Sequence, residues 1–181
     1  MSSSRFLVRI ALAGTMVLLA ACEAPVAEAP PDPIQRGGYL VGLMGCNDCH
    51  TPGYFLGMPD QTRFLGGSDV GFLMPGLGYF YGPNLTPDVD TGLGSWSEDQ
   101  IITTLRTGVR PDGRQLAPIM PWMAFASLTD EDANAIAAYL KSIPAVSNQA
   151  PPPTGIGQPA PAPYMEIIFP PPPAEEPPPA P

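Results

Sequence analysis

The fold of this 181-residue chain depends on the stretch "GCNDCHTPG", residues 45–53. Two residues separate Cys46 from Cys49, and His50 follows the second cysteine directly. His50 is also the only histidine in the chain. Two thiols and an imidazole thus lie together at the end of an expected helix, so the chemistry of this chain depends on what these three side chains bind.

The order Cys-x-x-Cys-His is typical of one prosthetic group. Two thiols at this spacing can each add to one vinyl group of a haem, and the imidazole of the next residue then lies beneath the iron. Covalent attachment also prevents loss of the cofactor outside the cytoplasm. The motif therefore predicts one haem c, attached through Cys46 and Cys49, with His50 as the proximal iron ligand.

The cysteine pair has three other interpretations. A thioredoxin-like dithiol would need a βαβ context, which the sequence does not offer. A structural zinc needs four ligands, and outside the motif the chain has no further histidine and only Cys22 as another cysteine. A disulfide between Cys46 and Cys49 would close a loop too short to stabilise much.

The single histidine also restricts the other side of the iron. A sixth ligand from the protein must be a methionine or a lysine, unless the position is open, and a soft thioether suits an iron that changes oxidation state. In "LAPIMPWMAF", residues 116–125, Met120 is followed by Pro121 and preceded at two residues by Pro118. Because prolines stiffen an extended loop, we predict Met120 as the distal ligand, with Met123 as its main rival. An open distal site is the remaining alternative.

Three capped helices are predicted in the middle of the chain, and no stretch alternates clearly enough to predict a strand. Between the first two helices, residues 53–83 are rich in glycine and aromatic residues, which indicates ordered loop packed on an apolar surface. A domain of about 118 residues with so much loop has a thin core, so a cofactor should complete it. We expect an all-α fold with a few helices and long loops around one haem. The helices are predicted from 33 to about 45, from 97 to 108 and from 129 to 144.

The first 21 residues have the pattern of a lipoprotein signal peptide. Arg5 and Arg9 precede an apolar run over residues 10–19, and "LAAC" ends the segment at Cys22. The run is too short to span a bilayer as a mature helix. The pattern predicts lipidation of Cys22 and a periplasmic, membrane-anchored lipoprotein. Ordinary cleavage, which would leave Cys22 free or remove it, is the alternative.

Two biased segments flank the expected domain at residues 32–149. Residues 22–31 are a Pro/Ala-rich tether, and residues 150–181 are a proline-rich low-complexity tail with 14 prolines in 32 positions. Proline at that density favours extended polyproline II structure. "YMEIIF", residues 164–169, is an apolar island in this tail, and it is either a docking segment or an exposed patch in a disordered region.

The charge of the chain excludes one class of partner. Seventeen acidic residues outnumber eight basic ones, and removal of the signal peptide would take away two of those arginines. Because such a field repels nucleic acid, no nucleic-acid role is expected, whereas a redox protein with a basic docking face would be attracted.

The middle of the chain resembles a known family over about residues 33–146. The resemblance is carried by "GGYLVGLMGCNDCHTP", "GPNLTPDVDTGLGSWSEDQIITTLRTGVRPDGRQLAPIMPW" and "LTDEDANAIAAYLKSIPAV". The similarity is to the monohaem class I cytochrome c domain, and within it to the modules in cytochrome subunits of bacterial periplasmic alcohol and aldehyde dehydrogenases. The family's distal methionine falls on Met120. In the family, the last helix packs across the first near a glycine and aromatic pair, which implies that Gly38 and Tyr39 meet Tyr139 and Leu140.

Three further residues lie in segments that wrap the haem edge in similar proteins. Asn84, Trp96 and Arg110 could hydrogen-bond the haem propionates or the Met120 loop. Turn geometry for Asn84, core packing for Trp96 and a solvated charge for Arg110 are the alternatives.

These observations predict one-electron transfer between redox partners, namely respiratory proteins or dehydrogenases, with no small-molecule substrate and no enzyme activity of the chain's own. A methionine-ligated iron has no vacant position, which disfavours substrate chemistry at the metal. Two alternatives stay open. The chain is an electron-transfer subunit fixed in a larger oxidoreductase complex, or it is a haem sensor or peroxidase-like protein whose distal ligand is labile.

Overall fold

The computed structural model describes residues 32–171, in which five helices alternate with long loops and one small sheet. The signal peptide, Cys22, the tether and the last ten residues of the predicted tail lie outside the described residues. Single 3₁₀ turns occupy Tyr54–Leu56 and Gln61–Arg63. The helices are α1 (Pro33–Leu43), α2 (Cys46–His50), α3 (Glu98–Thr107), α4 (Trp122–Phe125) and α5 (Asp130–Ser142), and the strands are β1 (Gly71–Met74), β2 (Gly78–Phe80) and β3 (Tyr164–Met165).

Side-chain caps begin the three longest helices, as the sequence predicts. The Asp32 carboxylate accepts from the backbone N–H of Ile34 ahead of α1. Ser97 and Gln100 form a reciprocal capping box at the start of α3, and Thr129 caps α5. Each cap satisfies backbone N–H groups that have no partner inside the helix, so the predicted positions of all three helices are confirmed.

The first and last helices cross where α1 carries no side chain. A Cβ atom at Gly37 would overlap the Ala135 carbonyl oxygen on α5, and one at Gly38 would lie 2.9 Å from the Tyr139 ring. The expected contact between Gly38 and Tyr139 is therefore confirmed. Tyr39, however, is 59% exposed, because Gly37 rather than Tyr39 faces the centre of the crossing. The buried apolar cluster beneath this crossing consists of Leu40, Val41, Leu65, Leu93, Ile101, Ile136, Ala137 and Leu140.

The sequence shows no convincing strand pattern, but the structure has three short strands. β1 pairs antiparallel with β2, with Phe72 opposite Phe80, and β1 pairs parallel with β3, with Gly71 opposite Tyr164. The strands have only two to four residues, too few to show an alternating pattern in the sequence. β3 also lies within the predicted tail, so part of that proline-rich segment pairs with the rest of the fold.

The described part of the chain is thus mostly helical with long loops, as expected for the fold class, and has one small sheet in addition. Among residues 32–171, none of the helices is both long enough and apolar enough to cross a bilayer.

Candidate haem-binding site

The two cysteines and the histidine lie on one short helix, α2. Gly45 links α1 to α2 in the left-handed conformation, with φ of 66°, which turns the chain immediately before Cys46. Both cysteines are half-buried free thiols, and His50 is 5% exposed at the end of the helix. The structure therefore brings the three predicted residues together on one helix of five residues.

A backbone carbonyl orients the imidazole of His50. Nδ1 of His50 lies 2.7 Å from the carbonyl oxygen of Pro83. Because a carbonyl can only accept, Nδ1 must carry the proton, which leaves the Nε2 lone pair free for a metal. Burial also lowers the pKa of His50 and favours the neutral ring that can act as a ligand. A hydrogen bond of this kind fixes the ring orientation and makes the ligand more basic.

Two neighbouring loops contact the backbone around His50. Gly82 packs so closely on α2 that a Cβ atom there would overlap the carbonyl oxygen of Cys49, so only glycine permits the approach that places Pro83. On the other loop, the N–H of Gly67 donates to the carbonyl of His50 at 2.8 Å. Gly67 and Gly82 are joined through Ser68, whose N–H donates to the Gly82 carbonyl at 2.8 Å.

The environment of the thiols argues against the competing interpretations. Burial raises the pKa of Cys46 to about 11, and burial followed by the charge of Asp48 raises the pKa of Cys49. Both groups are therefore protonated at neutral pH, whereas a redox-active dithiol needs a thiolate stabilised by its surroundings. In the described part of the chain, no group of three or more His, Cys, Asp or Glu side chains is placed to hold a metal ion such as zinc.

Met120 comes from a separate part of the chain. Its N–H donates to the Ala117 carbonyl at 3.0 Å, and its own carbonyl accepts from the N–H of Trp122 at 2.8 Å, so the methionine sits in a tight turn ahead of α4. Met120 is half-buried, whereas Met123 is 63% exposed. A solvated side chain makes a poor ligand for an iron that the protein must enclose, so burial favours Met120.

The indole of Trp122 holds this turn against the end of α3. A Cβ atom at Gly108 would lie 2.6 Å from the ring, and Gly108 has φ of 71° as the C-cap of α3. The N–H of Leu116 donates to the Gly108 carbonyl at 2.7 Å, which ties the loop that precedes Met120 to the same point.

The chain's single lysine is already engaged elsewhere. Nζ of Lys141 donates to the carbonyl oxygens of Leu93, Gly94 and Trp96 at 3.1, 2.9 and 2.9 Å. Three acceptors satisfy the three protons of an ammonium group, so Lys141 is not available as an iron ligand. Of the two residue types that the sequence left as a sixth ligand, this leaves methionine.

A family model described as cytochrome c matches residues 34–144, which is more than half of the chain. The chain belongs to the cytochrome c family. Members of this family carry covalently bound haem c, and Cys46 and Cys49 occupy the attachment positions of its Cys-x-x-Cys-His motif.

This cytochrome c domain is similar to parts of several larger proteins. It is 37% identical over 129 residues to the fructose dehydrogenase cytochrome subunit of Gluconobacter japonicus, with 71% of this chain and 25% of that protein covered. Identity to the cytochrome c subunit of the quinone alcohol dehydrogenase of Gluconobacter oxydans (strain 621H) is 34% over 122 residues, covering 65% and 23%. A protein of Cereibacter sphaeroides named "Diheme cytochrome c-type" is 42% identical over 118 residues, covering 62% and 36%. The chain thus spans about a quarter of the length of the two dehydrogenase subunits.

The residues around α2 fit a haem attached at this helix. The imidazole already has its proton on the nitrogen that faces Pro83, and both thiols are free to form thioethers. The apolar core of the domain is small, and Cys46 and Met44 pack at its edge. A large planar group bound beside α2 would add buried apolar contact to this core.

The residues predicted at the haem edge, namely Asn84, Trp96 and Arg110, differ in what they contact. Arg110 lies over the ring of Trp96, with 4.9 Å between Cζ and the ring centroid, and its Nε is 3.4 Å from a carboxylate oxygen of Asp112. Asn84 is buried, and its side-chain carbonyl oxygen accepts hydrogen bonds from the N–H and the hydroxyl of Thr86. These bonds are of the kind that stabilises a turn, which was the alternative for this residue. Its amide group faces the segment after α5 and not the Met120 loop.

Pro83 and Gly82 are parts of the site that were not predicted from the sequence. The string "YGPN" reads as an ordinary turn, and only the folded chain places its carbonyl against an imidazole 33 positions away. A glycine followed by proline after an aromatic-rich loop was the one available signal.

Proposed function

We propose that this chain is an exported, membrane-tethered cytochrome c that carries one haem and transfers single electrons between a dehydrogenase and an acceptor. The observation that carries the proposal is the His50 imidazole, held by Pro83 with Nε2 free, on the same helix as two half-buried, protonated thiols. This arrangement suits a redox iron, and it suits neither dithiol exchange nor a structural zinc site.

Each site residue has a distinct task in this proposal. Cys46 and Cys49 form thioether bonds, His50 is the proximal ligand and Met120 the distal ligand. The haem, when bound, supplies an iron that gains or loses one electron. The protein's part is to hold both ligands in place and to leave no open position for a substrate, so the chain is an electron carrier and not itself an enzyme.

The partners are proposed from charge and from the similar proteins. Two of the similar proteins are named as cytochrome subunits of a fructose dehydrogenase and of a quinone alcohol dehydrogenase, which supports a dehydrogenase as electron donor. The acidic chain would be attracted to a basic docking face on such a partner. A lipid on Cys22 and the tether at residues 22–31 would keep the domain in the periplasm within a limited radius of the membrane.

The composition of the protein after export tests this proposal. Addition of each thiol across a vinyl group places the sulfur on one carbon and the hydrogen on the other, so no atom is lost. Protein made in a host with haem-ligation machinery should therefore have, after denaturation, the mass of the polypeptide and its lipid plus one whole haem. Cys46→Ala and Cys49→Ala should each remove one thioether, whereas Cys22→Ala should remove the lipid and keep the haem. A colourless wild-type protein without the added mass would refute the proposal.

A fixed subunit of a larger complex is the second candidate, because two similar proteins are named as cytochrome subunits of dehydrogenases. Removal of residues 172–181 and, separately, of residues 150–181 should reduce copurification with membrane partners if the tail anchors the domain in a complex. Unchanged copurification with both deletions would favour the free tethered carrier.

A further inference from the structure

The chain returns to the haem site after the last helix. Residues 146–165, here called the C-terminal strap, follow α5 and run back along the segment 81–86 that contains Pro83. The strap ends in β3 and lies largely within the stretch whose composition predicts an unpaired tail. It contacts both of the residues that flank the Gly82-Pro83 pair, and these two contacts use different parts of the strap.

The first contact is on the N-terminal side of Pro83. The hydroxyl of Tyr81 donates to the carbonyl oxygen of Ala162 at 2.6 Å and accepts from the N–H of Ala162 at 3.2 Å. Tyr81 is 8% exposed, so water does not compete effectively for either bond. A single side chain two residues from Pro83 is therefore tied to both backbone groups of one strap residue.

The second contact is on the C-terminal side of Pro83. The amide group of Asn84 donates to the carbonyl oxygens of Val146 at 2.7 Å and Asn148 at 3.3 Å, and Asn84 is 1% exposed. Thr86 extends the contact, because its hydroxyl accepts from the N–H of Val146 at 3.0 Å. The strap thus holds the backbone on both sides of the carbonyl that orients His50.

The strap also contacts the other loop that holds His50. The side-chain amide of Asn148 donates to the Gly66 carbonyl at 2.7 Å. A Cβ atom on Gly67 would lie 3.0 Å from Cβ of Ala150, which places the strap directly against the residue whose N–H binds the His50 carbonyl. Both backbone segments that contact His50 are therefore packed beneath the same strap.

We propose that the C-terminal strap is a positioning element for the proximal ligand, and that Tyr81 and Asn84 transmit its position to the Pro83 carbonyl. This inference rests on the proposed role of His50 as an iron ligand. A firm Nδ1–H···O bond makes an imidazole more basic, and a more basic ligand stabilises the more highly charged ferric iron. Loosening the strap should therefore weaken this bond and raise the reduction potential.

Tyr79 and Tyr81 lie two residues apart and allow a matched test. Tyr81→Phe removes the hydroxyl that binds Ala162 and keeps the ring. Tyr79→Phe is the control, because Tyr79 also contacts the strap through the ring of Tyr164, at 4.7 Å between centroids, but lies farther from Pro83. Both variants, made as full-length holoprotein, would be compared by redox titration and by NMR hydrogen exchange of the His50 Nδ1 proton.

Tyr81→Phe removes both hydrogen bonds between the hydroxyl and Ala162. It should therefore raise the reduction potential and speed exchange of the Nδ1 proton about tenfold, a factor that corresponds to about 1.4 kcal/mol. Tyr79→Phe should change both quantities much less. If Tyr81→Phe does not accumulate, a chain ending at residue 149 removes Ala162 and β3 while it keeps Val146 and Asn148, and it should show the same direction of change.

Two kinds of failure are distinguishable. A Tyr81→Phe protein that contains haem and is merely less stable, with the potential and exchange rate of the Tyr79→Phe control, would overturn the inference and leave the proposed function intact. A wild-type protein that lacks covalently bound haem would overturn the proposed function first.

Discussion

Gly37 on α1 and Ala135 on α5 touch because Gly37 has no side chain. A Cβ atom at residue 37 would overlap the Ala135 carbonyl oxygen and would lie 2.6 Å from Cβ of Tyr139. Gly37→Ala should therefore push the two helices apart and lower the free energy of unfolding by about 3 kcal/mol. Denaturant unfolding of the holoprotein, followed by circular dichroism, measures the change.

The same helix provides a control for this prediction. Gly42 is exposed, and a Cβ atom built on it meets nothing within 4 Å. Gly42→Ala should raise stability by about 0.5–1 kcal/mol, because alanine favours the helical conformation. If Gly37→Ala were as stable as Gly42→Ala, the close contact between α1 and α5 would be wrong.

A bidentate ion pair connects the same two helices. Nε of Arg36 is 2.8 Å from Oδ1 of Asp132, and its terminal nitrogen is 3.2 Å from Oδ2. The hydrogen bond with Arg36 holds the pKa of the Asp132 carboxyl below its usual value of 3.8 and raises the pKa of Arg36. Because the folded-state pKa of Asp132 is lowered, its stabilising effect is present above about pH 4 and is lost as the pH falls through that lower pKa.

Asp132→Asn should therefore lower the thermal midpoint near pH 6, and its difference from wild type should shrink below pH 4. Both side chains are partly exposed, so the difference should be small and should also decrease at high salt. Thermal unfolding of both proteins between pH 6 and pH 3 tests this. A difference that persists undiminished at pH 3 would contradict a role for the Asp132 charge.

Local signals explain which parts of this structure the sequence predicts. A capping residue such as Ser97 and the spacing of Cys46, Cys49 and His50 act within one or two helical turns, so the sequence shows them directly. The family resemblance adds the expected helix crossing, and the close contact of Gly37 with Ala135 is an addition to it.

Features that depend on distant parts of the chain were not predictable in this way. β3 has two residues, and it forms only because Gly71 and Phe72 offer a free strand edge more than 90 positions earlier. The Pro83 carbonyl becomes part of the site only when Gly82 brings it against α2. Proline content predicts an extended chain correctly in such a segment, but an extended chain can also pair with a strand.

Lys141 on α5 forms hydrogen bonds with the loop that precedes α3. Its ammonium group donates to three carbonyl oxygens, those of Leu93, Gly94 and Trp96. Lys141→Met keeps most of the apolar stem and removes all three donors, so it should lower the free energy of unfolding by about 2 kcal/mol. Arg114→Met is a control with the same charge change at an exposed position, and it should lower the free energy of unfolding much less. If both variants lose the same free energy of unfolding, Lys141 contributes through its charge alone and not through its three hydrogen bonds.

The two methionines near α4 differ in their exposure to solvent and should differ in their effect on the iron. Met120 is half-buried in a turn closed by its bonds to Ala117 and Trp122, whereas Met123 is 63% exposed on the next helix. A methionine ligand on ferric haem produces a weak long-wavelength absorption band from sulfur-to-iron charge transfer. Met120→Ala should abolish this band and lower the reduction potential, because loss of the thioether removes the ligand that favours ferrous iron.

Met123→Ala should leave both the band and the potential unchanged. It serves as the matched control because it makes the same substitution three residues away. The same spectra test the alternative of a sensor or peroxidase-like protein, since a labile distal position would bind added cyanide or carbon monoxide rapidly in the wild type. If the wild-type protein lacks the band and binds these ligands as fast as Met120→Ala does, Met120 is not the sixth ligand and the iron site is open. If Met123→Ala alone loses the band, Met123 and not Met120 is the distal ligand, and the exposed Met123 side chain must move inward when haem is attached.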